Sequence, residues 1–127
     1  MDWSKEIETL EGWSFGNSPQ MSDEIAEQTK NGQNSATCSL YLAEKVPKVG
    51  DRSYVKDSRN EPVCVVETTR VDIVPFNEVD LEFAQTEGYV SLEEWRDIHI
   101  SFFETKLSDF REFTLVVCQY FNVIHVF

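Results

Sequence analysis

Pro62-Val63-Cys64-Val65-Val66-Glu67-Thr68-Thr69-Arg70-Val71-Asp72-Ile73 reads as one long strand, apolar at successive positions from Val63 to Val66. A strand whose two faces are both apolar lies in the middle of a sheet or barrel, because both faces must be covered. Upstream of it, Arg52 to Lys56 is a short strand entered through the turn Val49-Gly50-Asp51. Further upstream, Ser35 to Leu42 alternates, with Ala36, Cys38, Leu40 and Leu42 on one face and Thr37, Ser39 and Tyr41 on the other. That strand follows a helix opened by Ser18-Pro19, where proline's missing N–H costs nothing, and closed by Asn31-Gly32, residue types that tolerate a left-handed cap. Downstream, Asp80 to Glu87 is a short helix closed by Gly88. In the next helix Ser91 and Glu94 have the spacing of a capping box, Val90 and Trp95 that of a hydrophobic staple, and Trp95, Ile98 and Phe102 recur at helical spacing. The helix ends before Ser108, and Glu112 to His125 is the last strand. Mostly consecutive strands with grouped helices predict an α+β fold, a small antiparallel or mixed barrel with flanking helices.

The 127 residues, without internal repeats or Pro/Gly-rich linkers, read as one domain spanning 1–127. A domain of that length buries roughly two-thirds of its unfolded-chain surface. With 41% hydrophobic residues and nine Phe there is material for a core. The first residues lack the basic start and apolar stretch of a signal peptide, and no apolar run approaches the roughly 20 residues of a membrane span. A cytoplasmic location and no membrane partner are therefore expected. Cys38, Cys64 and Cys118 are odd in number, widely spaced and set in strand-like apolar contexts, so buried reduced thiols are expected rather than a metal or disulfide role. No metal or organic cofactor is implied.

The net charge of −12 repels phosphate backbones over long range. Residues 44–70 are the exception, with six basic side chains against five acidic ones, so any nucleic-acid contact is expected on one central face.

Three places can carry chemistry. The turn Gly32-Gln33-Asn34-Ser35-Ala36-Thr37 leads into the hydroxyl-bearing face that holds Thr37 and Ser39; read alone, it is also an ordinary helix-to-strand turn. Glu87 stands in the last turn of its helix, facing the negative end of the dipole, a local cost of a few tenths of a kcal/mol that a solvated surface position or a site explains equally. Arg96 and His99 lie about one turn apart, where they can meet an anion, and His99 fits an interior histidine as well.

Trp13-Ser14-Phe15-Gly16, Gly32 to Thr37, Val49-Gly50-Asp51, Pro62 to Thr69, Pro75-Phe76-Asn77-Glu78-Val79, Phe83-Ala84 with Glu87-Gly88, and Trp95-Arg96 with His99 and Phe102-Phe103 together resemble an ASCH-domain protein of the bacterial stand-alone type. The resemblance runs from about Trp13 to Phe121. It implies a PUA-like small β-barrel with flanking helices, and binding of RNA or a modified nucleoside in a cleft beside the barrel. Trp13 or Phe15 would stack on a base, while Gly32, Asn34, Thr37, Ser39, Glu87, Arg96 and His99 would contact polar groups. One branch of the family is an amidohydrolase removing the acetyl group from N4-acetylcytidine, with the pattern Gly-x-Lys-x-x-Thr and a downstream Glu. That resemblance would make Thr37 the nucleophile and Glu87 its partner carboxylate. Asn34 occupies the lysine position here, and an amide neither takes a proton at neutral pH nor supplies positive charge. Binding of a nucleobase-like ligand is thus the leading expectation. The hydrolase and a protein-interaction domain using the acidic surface are the alternatives.

Overall fold

The computed structural model describes residues 2–16 and 18–127. The elements run α1 (Trp3–Glu6), β1 (Glu11–Trp13), α2 (Pro19–Lys30), β2 (Ala36–Leu40), β3 (Arg52–Lys56), β4 (Pro62–Pro75), α3 (Leu81–Thr86), α4 (Leu92–Lys106) and β5 (Leu115–Val126). The strands form one sheet in the order β1-β3-β4-β5-β2, with β1 parallel to β3 and every other pair antiparallel. The expected central strand is central, and Cys64, Val65 and Val66 on it are fully buried.

The sheet curls into a half-barrel, which with its four helices is the expected α+β, PUA-like fold. Register shifts between β4 and β5 at Val65/Val66 and Thr68/Arg70 interrupt the two longest strands, and such bulges bend a strand and increase its twist. On the Pro62 side of the second shift Ala26 of α2 packs on Val55, Cys64, Val66 and Phe121. On the other, Phe83 and Ala84 of α3 and Trp95 and Phe103 of α4 cover Ala36, Cys38, Phe76 and Val116. Thr68 and Gln119 are both buried and share a 2.8 Å side-chain hydrogen bond. The half-barrel does not close, because β1 pairs only with β3 and β2 only with β5.

Local sequence explains most element boundaries. Ser18 caps α2 by accepting from the Met21 N–H at 3.1 Å, and Asp80 and Ser91 cap α3 and α4 in the same way. The expected staple between Val90 and Trp95 does not form. Val90 is 86% exposed, whereas Trp95 is fully buried and stacks on Phe76 at 5.4 Å, so tertiary packing takes the ring. Strand β1 had no sequence signature. It has three residues, and Gly12 permits the Tyr54 ring to lie against it, since a Cβ there would come within 2.6 Å of that ring. All three cysteines are buried and free. Among the described residues no helix is long and apolar enough to cross a membrane.

Candidate ligand-binding site

A cleft of about 1190 Å³ opens where the half-barrel fails to close. Gly12 and Trp13 of β1, with Phe15 just beyond, form one wall, and successive β2 residues from Ala36 to Leu40 form the other. Consecutive strand residues point their side chains to opposite faces, so a cleft touching all five runs along the strand's open edge. The hydrogen bonds confirm that edge. Ser35 O accepts from Phe121 N at 3.0 Å and Tyr41 N donates to Leu115 O at 3.1 Å, which places the odd-numbered β2 residues in hydrogen-bonded pairs with β5. By antiparallel alternation the main-chain groups of Ala36, Cys38 and Leu40 then face away from β5. The Ala36 N–H turns to Asn34 Oδ1 at 3.5 Å.

Helix α3 delivers Glu87 to this edge. Thr86 O accepts from Ser35 N at 2.9 Å, tying the end of α3 to the start of β2. Gly88, at φ +89°, turns the chain immediately afterwards, a left-handed conformation that a glycine adopts without strain. Glu87 caps the six-residue helix, and its side chain is only 7% exposed. The local dipole cost is offset by contacts from α4: Glu87 Oε2 accepts from Trp95 Nε1 at 3.0 Å and lies 3.2 Å from His99 Nε2. His99 stacks on Trp95 at 4.1 Å, and its Nδ1 sits 2.8 Å from Trp95 O. Burial, followed by the charges of Glu87 and Glu94, pushes the Tyr89 hydroxyl above its ordinary range. The Cys38 thiol is held well above its usual range, chiefly by its hydrogen bond with Cys118 and by burial, with a further contribution from the Glu87 charge.

Of the residues singled out from sequence, Trp13, Phe15, Asn34, Thr37, Ser39, Glu87 and His99 line this cleft. Gly32 and Arg96 do not. Gly32 lines a separate cavity of about 310 Å³ together with Lys30 and Asn122, and Arg96 points its Nη2 toward Asn77 O at 3.4 Å. Thr37 is half-buried, Ser39 exposed, and Asn34 buried between the two cavities. Lys30 does not replace the lysine missing at position 34: it pairs with Glu27 at 3.3 Å beside the smaller cavity. Sequence reading did not single out Gln119, Tyr89 or Lys45, which also line the cleft. Lys45 follows strand β2 in a short turn without a chemical signature of its own. Within the basic segment 44–70, Arg52, Arg59 and Arg70 each pair with a carboxylate.

A curled five-stranded half-barrel carrying helices and a cleft along its open edge defines a PUA-like domain. The sequence pattern of the ASCH domain matches residues 11–125, and the chain belongs to the ASCH domain family. It is similar to protein EF3133 from Enterococcus faecalis V583, at 30% identity and TM-score 0.86, over 98% of this chain and 91% of that one. It is similar also to an ASCH domain from Lactobacillus crispatus JV V101, at 28% identity and TM-score 0.86, over 97% and 84% of the two chains. The ASCH protein of Zymomonas mobilis shares the fold at 10% identity and TM-score 0.59, over 92% and 71%. No curated protein matches the chain.

Proposed function

We propose that the cleft binds a small nucleobase-bearing ligand, a free nucleoside or one base of a short RNA. The observation that carries this reading is the convergence of complementary groups on one cavity. Hydroxyls of Thr37 and Ser39 and the Asn34 amide stand along one wall, the Glu87 carboxylate lies between that wall and α4, and Trp13 and Phe15 stand opposite. Flat aromatic rings supply stacking for any base, and polar groups on the facing wall select its edge. The volume is ample for such a ligand. Calorimetric titration with nucleosides and short RNAs at low salt tests it. Binding that weakens in Thr37→Ala and Trp13→Ala is the expected result, and no binding by any nucleoside or RNA in the panel defeats the reading.

The second reading, an amidohydrolase of the acetylcytidine type, is favoured by Thr37 and Glu87 lining the same cleft. It places the Thr37 hydroxyl as nucleophile on the amide carbonyl, with Glu87 passing the hydroxyl proton to the amine that departs as the C–N bond breaks, and water then releasing acetate from the acyl-threonine. Asn34 weakens it, since it can donate a hydrogen bond but cannot deprotonate Thr37 or neutralise an oxyanion as an ammonium does. Assay of N4-acetylcytidine turnover separates the two readings. Activity seen only in Asn34→Lys makes the natural protein a binder, whereas wild-type activity lost in Thr37→Ala makes it an enzyme.

A further inference from the structure

We infer that Glu87 reads its ligand through an N–H donor and that the cleft takes ligands without phosphate. This rests on the base-binding reading above and narrows it. A main-chain carbonyl only accepts, so His99 Nδ1, 2.8 Å from Trp95 O, carries a proton. His99 Nε2 therefore faces Glu87 Oε2 at 3.2 Å with one further proton between them, because two lone pairs do not meet at that distance. Together with Trp95 Nε1, this engages Oε2 completely and fixes the carboxyl plane.

Oε1 is left over. It is buried and has no hydrogen-bond partner among the described residues, on a side chain that is 93% buried and lines the cleft. Buried polar atoms of native proteins are almost always paired, and an unpaired carboxylate oxygen accepts and does not donate. An amino, imino or amidino group of the ligand matches it; a carbonyl presented at the same point meets like partial charge. Trp95 and His99 act here as positioning residues.

The surroundings set the second half of the specificity. Carboxylates of Glu11, Glu24, Asp51 and Glu94 line the cleft beside the Glu87–His99 pair, whose shared proton leaves it without net charge, and among the described residues Lys45 is the only lysine or arginine that lines it. A walled cleft with an excess of one sign focuses its potential, and at a Debye length of about 8 Å a phosphate inside it stays within range of several of these groups. Neutral or cationic ligands escape that repulsion.

Isothermal titration with nucleoside pairs that differ by an amino group, cytidine against uridine and guanosine against inosine, tests both halves, each run also as its 5′-monophosphate. In the pair that binds, the amino-bearing member is expected to bind roughly tenfold more tightly, as expected when a buried polar group loses its partner. Its monophosphate is expected to be about tenfold weaker at low salt, with the gap narrowing in a Glu24→Gln/Glu94→Gln variant of the exposed rim. Glu87→Gln is expected to erase the amino preference. Should that variant fail to fold, the wild-type comparison decides alone. Equal binding within the pair, or tighter binding of the monophosphate, overturns this inference while leaving base binding in place; no nucleoside binding at all removes both.

Discussion

The two apolar clusters of the sheet are built from different side chains and carry different duties. The cluster under α2 has Val55, Cys64 and Val66 at its centre beside Phe121, and the cleft rings Trp13 and Phe15 pack against it. The cluster under α3 and α4 is aromatic, with Phe76, Phe83, Trp95, Phe103 and Phe110 in edge or stacked contact. Trp95 alone among these has a polar tip, and that tip reaches Glu87. An indole thus converts core packing into the placement of a carboxylate, which a purely aliphatic cluster cannot do.

Trp95→Ala is the substitution expected to separate the clusters most strongly. Removing a fully buried indole costs about 3–5 kcal/mol, read from urea unfolding, and nucleoside binding should be lost with it. Val66→Ala, in the other cluster, should cost about 2 kcal/mol and weaken nucleoside affinity far less than Trp95→Ala, acting only through the Trp13 and Phe15 rings packed on that cluster. If Val66→Ala weakened binding as much as stability, the division of duties between the clusters would not hold. Trp95→Phe sharpens the contrast. It keeps most of the ring volume and removes the Nε1 donor, so about 1–3 kcal/mol of stability and much of the nucleoside affinity should go together.

The caps are expected to be equal on the two sides. Ser18→Ala and Ser91→Ala each remove one side-chain acceptor at a helix start and should each cost about 1 kcal/mol by denaturant midpoint, without touching binding. The gentlest probe is pH. Burial pushes the Cys64 thiol from 9.0 up to about 11 in the folded protein, so the native state holds that proton more tightly than the unfolded chain. Its contribution to stability is complete below pH 9 and fades as pH rises from 9 toward 11. Wild type should therefore lose stability through that range more steeply than Cys64→Ala, and equal slopes would contradict it.

Much of the chain's local structure was legible in one dimension. Ser18-Pro19, Asp80 and Ser91 start helices because a side-chain oxygen satisfies main-chain N–H groups within the same turn. The alternation read from Ser35 to Leu42 separates buried Ala36 and Cys38 from half-buried Thr37 and exposed Ser39, but the strand ends at Leu40, and Leu42, expected on the apolar face, is exposed. The central position of β4 followed from its two apolar faces. Strand β1 was not legible: three residues cannot show a period, and its partner β3 lies some forty residues away, at Ser53 to Val55. Gly32 and Arg96 read as neighbours of the site because sequence proximity to Thr37 and His99 was their only coordinate; turn and helix geometry send them elsewhere.

Sequence by itself determined what each segment had to bury and where each helix began, since caps and periodicity act across a few residues. Tertiary structure alone decided that the barrel stays open between β1 and β2, that Val90 is exposed while Trp95 is taken by Phe76, and that Glu87 turns inward to α4 with one oxygen unpaired among the described residues. Those outcomes depend on which groups from distant parts of the chain compete for the same contact, and that competition has no signature along the chain.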